Sequence, residues 1–439
     1  MGIKNLNPYI KEKCPEAFRD IPYSYFKGKR VAVDSDNVLR KLMSRAYKEI
    51  VNQTDVCVNE PSRPAIIARW LFHLKNEIAK FLKFGITLIF VFDGSYIDEK
   101  SATQAKRREA KQKMVKEADD MMKKVLSVDE LERTPQMVTD LRKKMHHLGN
   151  IKPEEKDLVC EILTNLGFPV LFATEEGEKL CAMLCIEGYV DAVYSRDTDV
   201  VAMGCPLSFG EEAGWIRNAE GNSEMAVKAC VFSPILKALN MQYETFLDLC
   251  IMSGCDFNSN IYNLGVGKAY KLLLECKSID NLPEKFKEKK EILNHIRCRQ
   301  IFGRQSAKDI CKSEVKFNLD RDALKKLDRE LFDKWDISDW ISELKILYNM
   351  FPEPSNVFIE KPPSYNNSTL KLKILRNDVG NSEVGKVKVE EVKEIVIPKQ
   401  KASPKKLTQK MITDLNTQQL QRFKEKEVPK IIKLKIVSN

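Results

Sequence analysis

Leu88-Ile89-Phe90-Val91-Phe92-Asp93 decides the fold, because an unbroken run of strand-forming apolar residues ends there in a carboxylate. The same pattern recurs in Val31-Ala32-Val33-Asp34 and in Ala192-Val193-Tyr194-Ser195-Arg196-Asp197. Strands without polar alternation are buried on both faces, which is typical of a parallel sheet covered by helices. The sequence therefore predicts an α/β fold with a central, mostly parallel sheet. Ligand sites in such sheets lie at the carboxyl ends of the strands.

Four more acidic residues stand where they would join this edge of the sheet. Two open a predicted helix, one follows Asp197 by two residues, and one precedes a glycine-rich turn. Gathered carboxylates repel one another unless cations neutralise them, and oxygen-only ligands suit Mg²⁺ or Mn²⁺. A metal-dependent phosphoryl-transfer enzyme is expected. The alternative for any one acid is a turn or helix cap, or a favourable charge at a helix start. The seven acids are Asp34, Asp93, Glu176, Glu178, Asp197, Asp199 and Asp256.

Length and composition limit the class of protein. The chain has 439 residues, 43% of them hydrophobic, which is enough for a full α/β core with an appended region. No run of about eighteen apolar residues is present, so no membrane span is expected. The twelve cysteines are scattered and fit reduced, buried thiols. A zinc site is disfavoured, because Cys181 and Cys185 lack a second ligand pair at suitable spacing. A soluble intracellular protein is the expectation.

Positive charge is concentrated in two segments. Residues 366–439 hold seventeen Lys/Arg against eight Asp/Glu and read as a basic disordered tail, whereas the rest of the chain is nearly neutral. Residues 100–152 hold fourteen Lys/Arg against eight Asp/Glu. This stretch is helical by propensity but has little to bury, so we expect it to project from the body. Any nucleic-acid footprint on the body must therefore be local.

Six short motifs follow one another over residues 1 to about 350. They are Met1–Leu6, Val31–Asp34, Val91–Gly94, Glu176–Glu178, Ser195–Asp199 and Ile251–Phe257 continued by Leu264–Ala269. In this order they resemble the XPG/flap-endonuclease family. The resemblance implies a PIN-like sheet flanked by helices, with a projecting basic helical arch and a C-terminal helical DNA-binding region. It divides the chain into an N-terminal region (1–98), an arch or gateway insertion (99–152) and an internal region (153–350) with a helix-turn-helix element at 250–275.

The resemblance also implies a cofactor and a mechanism. The seven acids would hold two Mg²⁺ ions, with Mn²⁺ as a substitute, so that a water is activated and the leaving oxygen stabilised. Asp34, Asp93, Glu176 and Glu178 would lie nearer one ion, and the other three acids nearer the second. Lys100 and Arg107 match the family's catalytic basic pair at the base of the arch. Their seven-residue spacing places both on one helix face, where they would stabilise charge on the scissile phosphate.

Five further residues are implied to bind DNA. Gly265, Gly267 and Lys268 form a turn whose backbone N–H groups and lysine suit a duplex phosphate, and a monovalent cation is expected there. The turn lacks the frame of an ATP phosphate loop; a purely structural turn is the alternative. Gly2 matches the family's N-terminal glycine near the substrate. Arg40 stands where relatives usually have an aromatic residue, and a guanidinium can also stack on a base.

The expected function is a structure-specific 5′ nuclease that cleaves 5′ flaps or branched DNA and also acts as a 5′-3′ exonuclease, in replication, repair or recombination. The nucleus is the expected compartment, or the host nucleus for a virus-encoded protein. A non-catalytic DNA-binding scaffold on the same fold and a ribonuclease of a related fold are the alternatives. In the tail, 409–416 partly fits a sliding-clamp-binding pattern without its terminal aromatic pair; otherwise it is a polar disordered segment.

Overall fold

A computed structural model of the chain describes residues 2–217, 223–286, 289–313 and 317–350. For residues 348–350 it describes the backbone alone. Its sheet has seven strands in the order β1-β7-β6-β5-β2-β3-β4. The five strands from β4 to β6 run parallel, whereas β7 and β1 complete the sheet antiparallel. The strands are β1 (Phe18–Pro22), β2 (Arg30–Asp34), β3 (Thr87–Phe92), β4 (Val170–Phe172), β5 (Ala192–Tyr194), β6 (Leu207–Arg217) and β7 (Ser223–Val231).

Fourteen α-helices lie in the described residues and cover both faces of the sheet. The first half carries α1 (Leu6–Lys13), α2 (Ser35–Gln53), α3 (Arg63–Leu82), α4 (Ser101–Leu126), α5 (Pro135–Met145), α6 (Pro153–Asn165) and α7 (Gly177–Ile186). The second carries α8 (Asp199–Ala202), α9 (Ser233–Leu239), α10 (Tyr243–Ser253), α11 (Val266–Cys276), α12 (His295–Phe302), α13 (Arg329–Lys334) and α14 (Asp339–Met350). None of the described helices is long and apolar enough to cross a membrane.

Strand β3 is buried along its whole length, which confirms the predicted two-sided burial. Its residues alternate between two hydrophobic clusters: Ile89 and Val91 pack on one face, and Leu88, Phe90 and Phe92 on the other. Each fully buried side chain of this size contributes about 1.5 to 3 kcal/mol to folding. The central strands are therefore fixed firmly, and their carboxyl ends form a rigid base for the polar side chains that follow them.

The basic insertion forms the helix pair α4 and α5, and α4 is exposed over most of its length. The expectation that this segment buries little needs a correction, because the pair closes a third hydrophobic cluster against the end of α2. Four of its members come from the insertion and two from the α2 end of the chain. The cluster consists of Val51, Val56, Ala118, Val125, Leu141 and Met145. The C-terminal half of α4 is thus held by packing.

The chain between α8 and α9 also differs from expectation. The glycines scattered through 205–231 predict a small hairpin excursion. β6 and β7 do pair as an antiparallel hairpin, but they belong to the main sheet. Strand β1 pairs with β7 and was not predicted, because Arg19, Asp20 and Pro22 give it no apolar run. Such a composition is tolerated at a sheet edge. All twelve cysteines are unpaired in the structure. The predicted tail at 366–439 and its clamp-like segment lie outside the described residues.

Candidate active site

A polar pocket lies at the carboxyl ends of β2, β3 and β5. Asp34 is the last residue of β2, Asp93 directly follows β3, and Asp197 follows β5 by three residues. Glu176 and Glu178 stand at the start of α7, which packs against β2 and β3. The lining residues are Asp34, Asp36, Asn37, Arg40, Asp93, Lys100, Arg107, Glu178, Asp197 and Asp256. Parallel strand order therefore brings together acids that are far apart in sequence.

Asp34 is 2% exposed and is held from two sides. The Ser195 hydroxyl donates to its Oδ2 at 2.7 Å, and the backbone N–H of Asn37 donates to its Oδ1 at 3.3 Å. Burial, followed by the nearby charges of Asp93 and Asp197, raises the pKa of Asp34 to about 7 even though the Ser195 hydrogen bond opposes the shift. The environment therefore disfavours a bare carboxylate here and favours a bound cation.

Asp93, Glu176 and Glu178 form the tightest acidic group. Each offers a carboxylate oxygen, and these oxygens lie within 4.8 Å of one another. The backbone N–H of Gly177 donates to Asp93 Oδ1 at 2.9 Å and so fixes that side chain to the start of α7. Burial raises the pKa of all three acids, most strongly that of Glu178, although Lys100 opposes the shift at both glutamates. The donor set is the all-oxygen type that suits Mg²⁺ or Mn²⁺.

Asp199 is also buried, and only 1% of its surface is exposed. Its Oδ1 is buried without a hydrogen-bond partner among the described residues, while its backbone N–H donates to Asp197 Oδ1 at 3.2 Å. Burial, and then the charge of Asp197, raises the pKa of Asp199 well above its usual range. A buried carboxylate oxygen without a donor fits a site that takes a cation. The acids present therefore suit a divalent metal on chemical grounds.

The two arch residues reach the acids from α4 and the turn before it. Lys100 forms an ion pair with Glu176, and its Nζ lies 4.0 Å from Glu178 Oε1. Although burial alone would lower it, the charges of Glu178 and Glu176 raise the pKa of Lys100. Arg107 Nη2 lies 2.6 Å from Asp256 Oδ2. Both predicted basic residues are thus placed at the pocket with their charges against the acids.

Gly2 lies against the acidic loop after β5. Its φ of +82° is a left-handed conformation, and a Cβ there would collide with the side chains of Asp197, Thr198 and Asp199. The next backbone N–H, that of Ile3, donates to Thr198 Oγ1 at 2.7 Å. The start of the chain is therefore packed onto the site, in a position that only glycine fits without strain.

Arg40 also lies at the pocket, on α2. Its Nη2 is 3.5 Å from Asp93 Oδ2, and its side chain is 54% exposed. Gly265, Gly267 and Lys268 do not line the pocket; they lie at the start of α11, where Lys268 is exposed. A Cβ would meet nothing at Gly265 and only Tyr9 at Gly267, so packing within the described residues does not require glycine at either position. This openness leaves room for another molecule.

Five polar residues at the site were missed, one of which, Asn37, lines the pocket beside Asp34. Asp36 and Lys156 form an ion pair beside Asp93, Ser195 holds Asp34, and Thr103 donates from its hydroxyl to the backbone carbonyl of Asp256 at 2.8 Å. Two of them had a sequence signal. Asp36 lies two residues after Asp34, and Ser195 lies inside the predicted Ser195–Asp199 motif. Lys156 and Thr103 lie on helices, where a surface residue and a site residue look alike.

The XPG N-terminal domain matches residues 1–114, and the XPG I-region matches residues 167–256. The "Probable RAD2-like endonuclease 369L" of Invertebrate iridescent virus 6 is 28% identical over 351 residues, which cover 71% of this chain and 81% of that protein. Flap endonuclease 1-1 of Paramecium tetraurelia is 28% identical over 288 residues, which cover 65% of this chain and 67% of that protein. One solved structure, "The catalytic core of Rad2 in complex with DNA substrate (complex III)", aligns with a TM-score of 0.51 at 17% identity, covering 79% of this chain and 100% of that one.

The sheet and its flanking helices form a PIN-like α/β fold. The endonuclease relatives and the matched XPG domains place the chain among nucleases. The matched domains, in their order along the chain, identify it further. The chain belongs to the XPG/flap-endonuclease family, as the six sequence motifs indicated.

Proposed function

We propose that this protein is a Mg²⁺-dependent, structure-specific nuclease that hydrolyses 5′ flaps and other branched DNA, and that it also degrades DNA from 5′ ends. The observation that carries the proposal is the convergence of the predicted acids: five of the seven line one pocket, Glu176 lies with Asp93 and Glu178, and Asp199 lies next to Asp197 with its Oδ1 buried and without a donor among the described residues. DNA replication, repair or recombination would use such an activity. The nucleus, or a host nucleus, is the proposed compartment.

The charge balance supports two divalent ions. Eight carboxylates, the seven predicted acids and Asp36, face four cationic side chains that form ion pairs with them. Four negative charges are left over, which equals the charge of two divalent ions. Buried charges need such compensation, because an isolated ionised carboxylate in a low-dielectric site is costly. The acids with a raised pKa would release their protons as the ions bind.

The residues of the chain would divide the work between holding ions and handling the phosphate. Bound Mg²⁺ supplies an activated water and stabilises the leaving oxygen. Asp93, Glu176 and Glu178 are the proposed ligands of one ion, together with Asp34. Asp197, Asp199 and Asp256 are the proposed ligands of the other.

The proposed catalytic role of Lys100 and Arg107 follows from their contacts. Both cations now lie against acids of the site. Ions bound to those acids would free Lys100 and Arg107 to contact the scissile phosphate, and cations placed there would stabilise the charge that develops on it.

Branched DNA would contact the protein at two separate places. At the pocket, Gly2 and Arg40 lie where the strand to be cut would approach. At the start of α11, the open glycines Gly265 and Gly267 and the exposed Lys268 suit a duplex phosphate. We also propose that a monovalent cation binds near this turn and that the tail contacts a sliding clamp. The clamp-like segment lies outside the described residues.

A non-catalytic scaffold on the same fold is the second candidate. A degenerate site would have lost acids, whereas this chain keeps all seven predicted ones around one pocket. Calorimetric titration with Mn²⁺ separates the two candidates, because only a complete site binds the ion. Digestion of matched RNA and DNA flaps separates the DNA nuclease from a ribonuclease.

Asp197→Asn tests the proposed metal site. The amide oxygen can still accept the Asp199 N–H, so folding is preserved, but one negative ligand is lost. We expect cleavage of a 5′-labelled flap to fall at least about a thousandfold, while DNA binding changes little. Product lengths on flap, nicked, bubble and single-stranded DNA, with Mg²⁺ and with chelator, measure the result.

Asp157→Asn is the matched control, because Asp157 is exposed on α6 and lies outside the pocket. The control should cleave like the wild type. Undiminished cutting by Asp197→Asn would refute the assignment of the metal site.

A further inference from the structure

Asp36 extends the polar site beyond the seven predicted acids. It lies in the first turn of α2, and its Oδ2 accepts two hydrogen bonds. One comes from the backbone N–H of Asp93 at 3.0 Å, and the other from Lys156 Nζ at 2.8 Å. This single carboxylate therefore joins α2, the end of β3 and α6.

Asp93 is consequently held at both its main chain and its side chain. Asp36 fixes the main chain, Gly177 donates to Oδ1 at 2.9 Å, and Arg40 Nη2 lies 3.5 Å from Oδ2. The residue directly follows β3, and its neighbours in the chain are also held: the Phe92 carbonyl accepts from the Ala173 N–H at 3.0 Å, and the Gly94 N–H donates to the Glu175 carbonyl at 2.7 Å. The Asp36 hydrogen bond adds the contact to the Asp93 N–H itself. Loss of that contact would leave the Asp93 peptide less firmly oriented, and with it the direction of the carboxylate toward Glu176 and Glu178.

Lys156 makes this arrangement electrostatically tolerable. Asp36 brings a second carboxylate next to Asp93, because its Oδ2 accepts the Asp93 N–H at 3.0 Å. Lys156 Nζ lies 2.8 Å from the same oxygen and so places a positive charge beside the added negative one. The ammonium group also lies 5.5 Å from the centre of the Phe92 ring, so its place beside β3 is defined by two contacts.

Resting on the proposed function, we infer that Asp36 and Lys156 form a positioning pair for divalent-ion binding. Asp36 holds the Asp93 backbone so that its carboxylate stays with Glu176 and Glu178, and Lys156 cancels the charge that Asp36 brings. Neither residue is a proposed ligand. Partners of this kind typically change metal affinity about 10- to 100-fold when they are removed.

Two charge-matched double variants isolate the hydrogen bond. Asp36→Asn with Lys156→Met removes one negative and one positive charge but keeps an oxygen that accepts the Asp93 N–H. Asp36→Ala with Lys156→Met removes the same charges and also the acceptor. Mn²⁺ affinity is measured by calorimetry on the full chain without DNA. Single-turnover cleavage of a 5′-flap substrate is measured over a range of Mn²⁺ concentrations.

The asparagine variant should bind Mn²⁺ within about twofold of the wild type, and the alanine variant about tenfold more weakly. Cleavage by the alanine variant should recover at saturating Mn²⁺, which a merely structural defect would not allow. Equal Mn²⁺ affinities for the two double variants overturn the inference. Wild-type protein that binds no Mn²⁺ overturns the proposed function and the inference together. If the alanine variant does not fold, Asp36→Ser with Lys156→Met replaces it, because the shorter hydroxyl holds its oxygen farther from the Asp93 N–H.

Discussion

At the scale of single residues, Asp34 shows how the pocket is prepared for a cation. Two hydrogen bonds favour its ionised form, yet burial still raises its pKa to about 7. Burial also raises the pKa of Glu178 and that of Asp199 well above their usual range. Each buried carboxylate must therefore carry a proton or lie next to a positive charge. A divalent ion would displace these protons, so binding and proton release are coupled.

Arg40 carries a prediction at this scale, because its guanidinium is half-exposed at the pocket and next to Asp93. Arg40→Ala should weaken flap binding several-fold and reduce the slope of log affinity against log salt by about one, since one phosphate contact is lost. Arg40→Lys should restore the salt slope without restoring a stacking contact. Affinity measured by fluorescence anisotropy at several salt concentrations tests both.

The matched control for Arg40 is Arg45→Ala. Arg45 lies on the same helix, is exposed, and pairs with Glu49 away from the pocket. It should leave both the affinity and the salt slope unchanged. A salt slope that Arg40→Ala does not alter would show that Arg40 makes no phosphate contact.

The residues that sequence could place are those that follow strands. Asp34 and Asp93 were predictable because an apolar run fixes where each strand ends, and parallel pairing then fixes which side chains meet. Lys156 was not predictable by this route, since a lysine near a helix start is ordinarily a solvated residue. Its contact with Asp36 follows only once α6 has been placed beside the end of β3.

At the scale of elements, the helix pair α4 and α5 depends on a small core. Leu141 is fully buried in this cluster, whereas Leu131, between the two helices, is 97% exposed. The cluster packs both helices against the C-terminal end of α2. Asp36 and Arg40 lie on the same helix, nearer its N-terminal end. Packing at one end of α4 therefore bears on where Lys100 and Arg107 stand at the other.

Leu141→Ala tests this connection. Truncation of a buried leucine costs about 2 to 5 kcal/mol, and here the loss should loosen α4 and α5 locally. We expect faster hydrogen exchange in both helices and about tenfold slower flap cleavage, with Mn²⁺ affinity in the absence of DNA unchanged. Leu131→Ala is the control, and its side chain has no packing to lose. Equal cleavage by the two variants would contradict a positioning role for the cluster.

A histidine–carboxylate pair between α2 and α3 predicts that the stability of the fold depends on pH. His73 is buried and its Nε2 lies 3.0 Å from Glu49 Oε2; burial lowers the pKa of His73, although Glu49 opposes the shift. The unfolded chain, with a histidine pKa of about 6.5, then binds a proton before the folded one does. The stability from this site is therefore complete above about pH 6.5 and is lost as the pH falls through the folded pKa.

His73→Gln should flatten the dependence of unfolding free energy on pH between about 5 and 7, a window set by the histidine pKa. Denaturant unfolding at several pH values measures the slope. His147→Gln is the control, because His147 is exposed near the end of α5. An unchanged slope in His73→Gln would mean that other groups set the pH dependence in this window.

The elements that sequence placed well are those with a clear period or an unbroken apolar run. Apolar residues that recur every three or four positions predict a helix from about Pro64 to Phe84, and the structure has it as Arg63–Leu82. Strand β1 was missed because an edge strand needs no apolar run, and β6 and β7 were placed outside the sheet because their glycines resembled a loop. Which distant strands pair depends on the arrangement of the whole sheet, so a local sequence pattern does not predict it.

At the scale of the whole molecule, the described body combines a firm apolar sheet with an acidic pocket. The carboxylates of this pocket repel one another and lower the stability of the fold when no cation is bound. The sheet is buried on both faces, so its strands cannot move to relieve repulsion among the acids. Stability is commonly reduced where a site is built for binding. A variant that relieves the repulsion should therefore gain stability and lose metal binding together.

Asp199→Asn makes this trade measurable. Asp199 is buried, its pKa is strongly raised by burial and by Asp197, and an amide of the same shape removes its charge. In chelator the variant should melt above the wild type, since each 1 kcal/mol corresponds to about 1 to 2 °C in a body of about 350 residues. Mn²⁺ at a hundredfold excess over the dissociation constant of each site should stabilise the wild type by about 2.7 kcal/mol per ion, and the variant only by the contribution of the ion held by the other four acids. Asp157→Asn serves as the control, with wild-type melting in both buffers. A variant that melts lower in chelator, or that Mn²⁺ stabilises as much as the wild type, would show that the Asp199 charge neither destabilises the fold nor holds an ion.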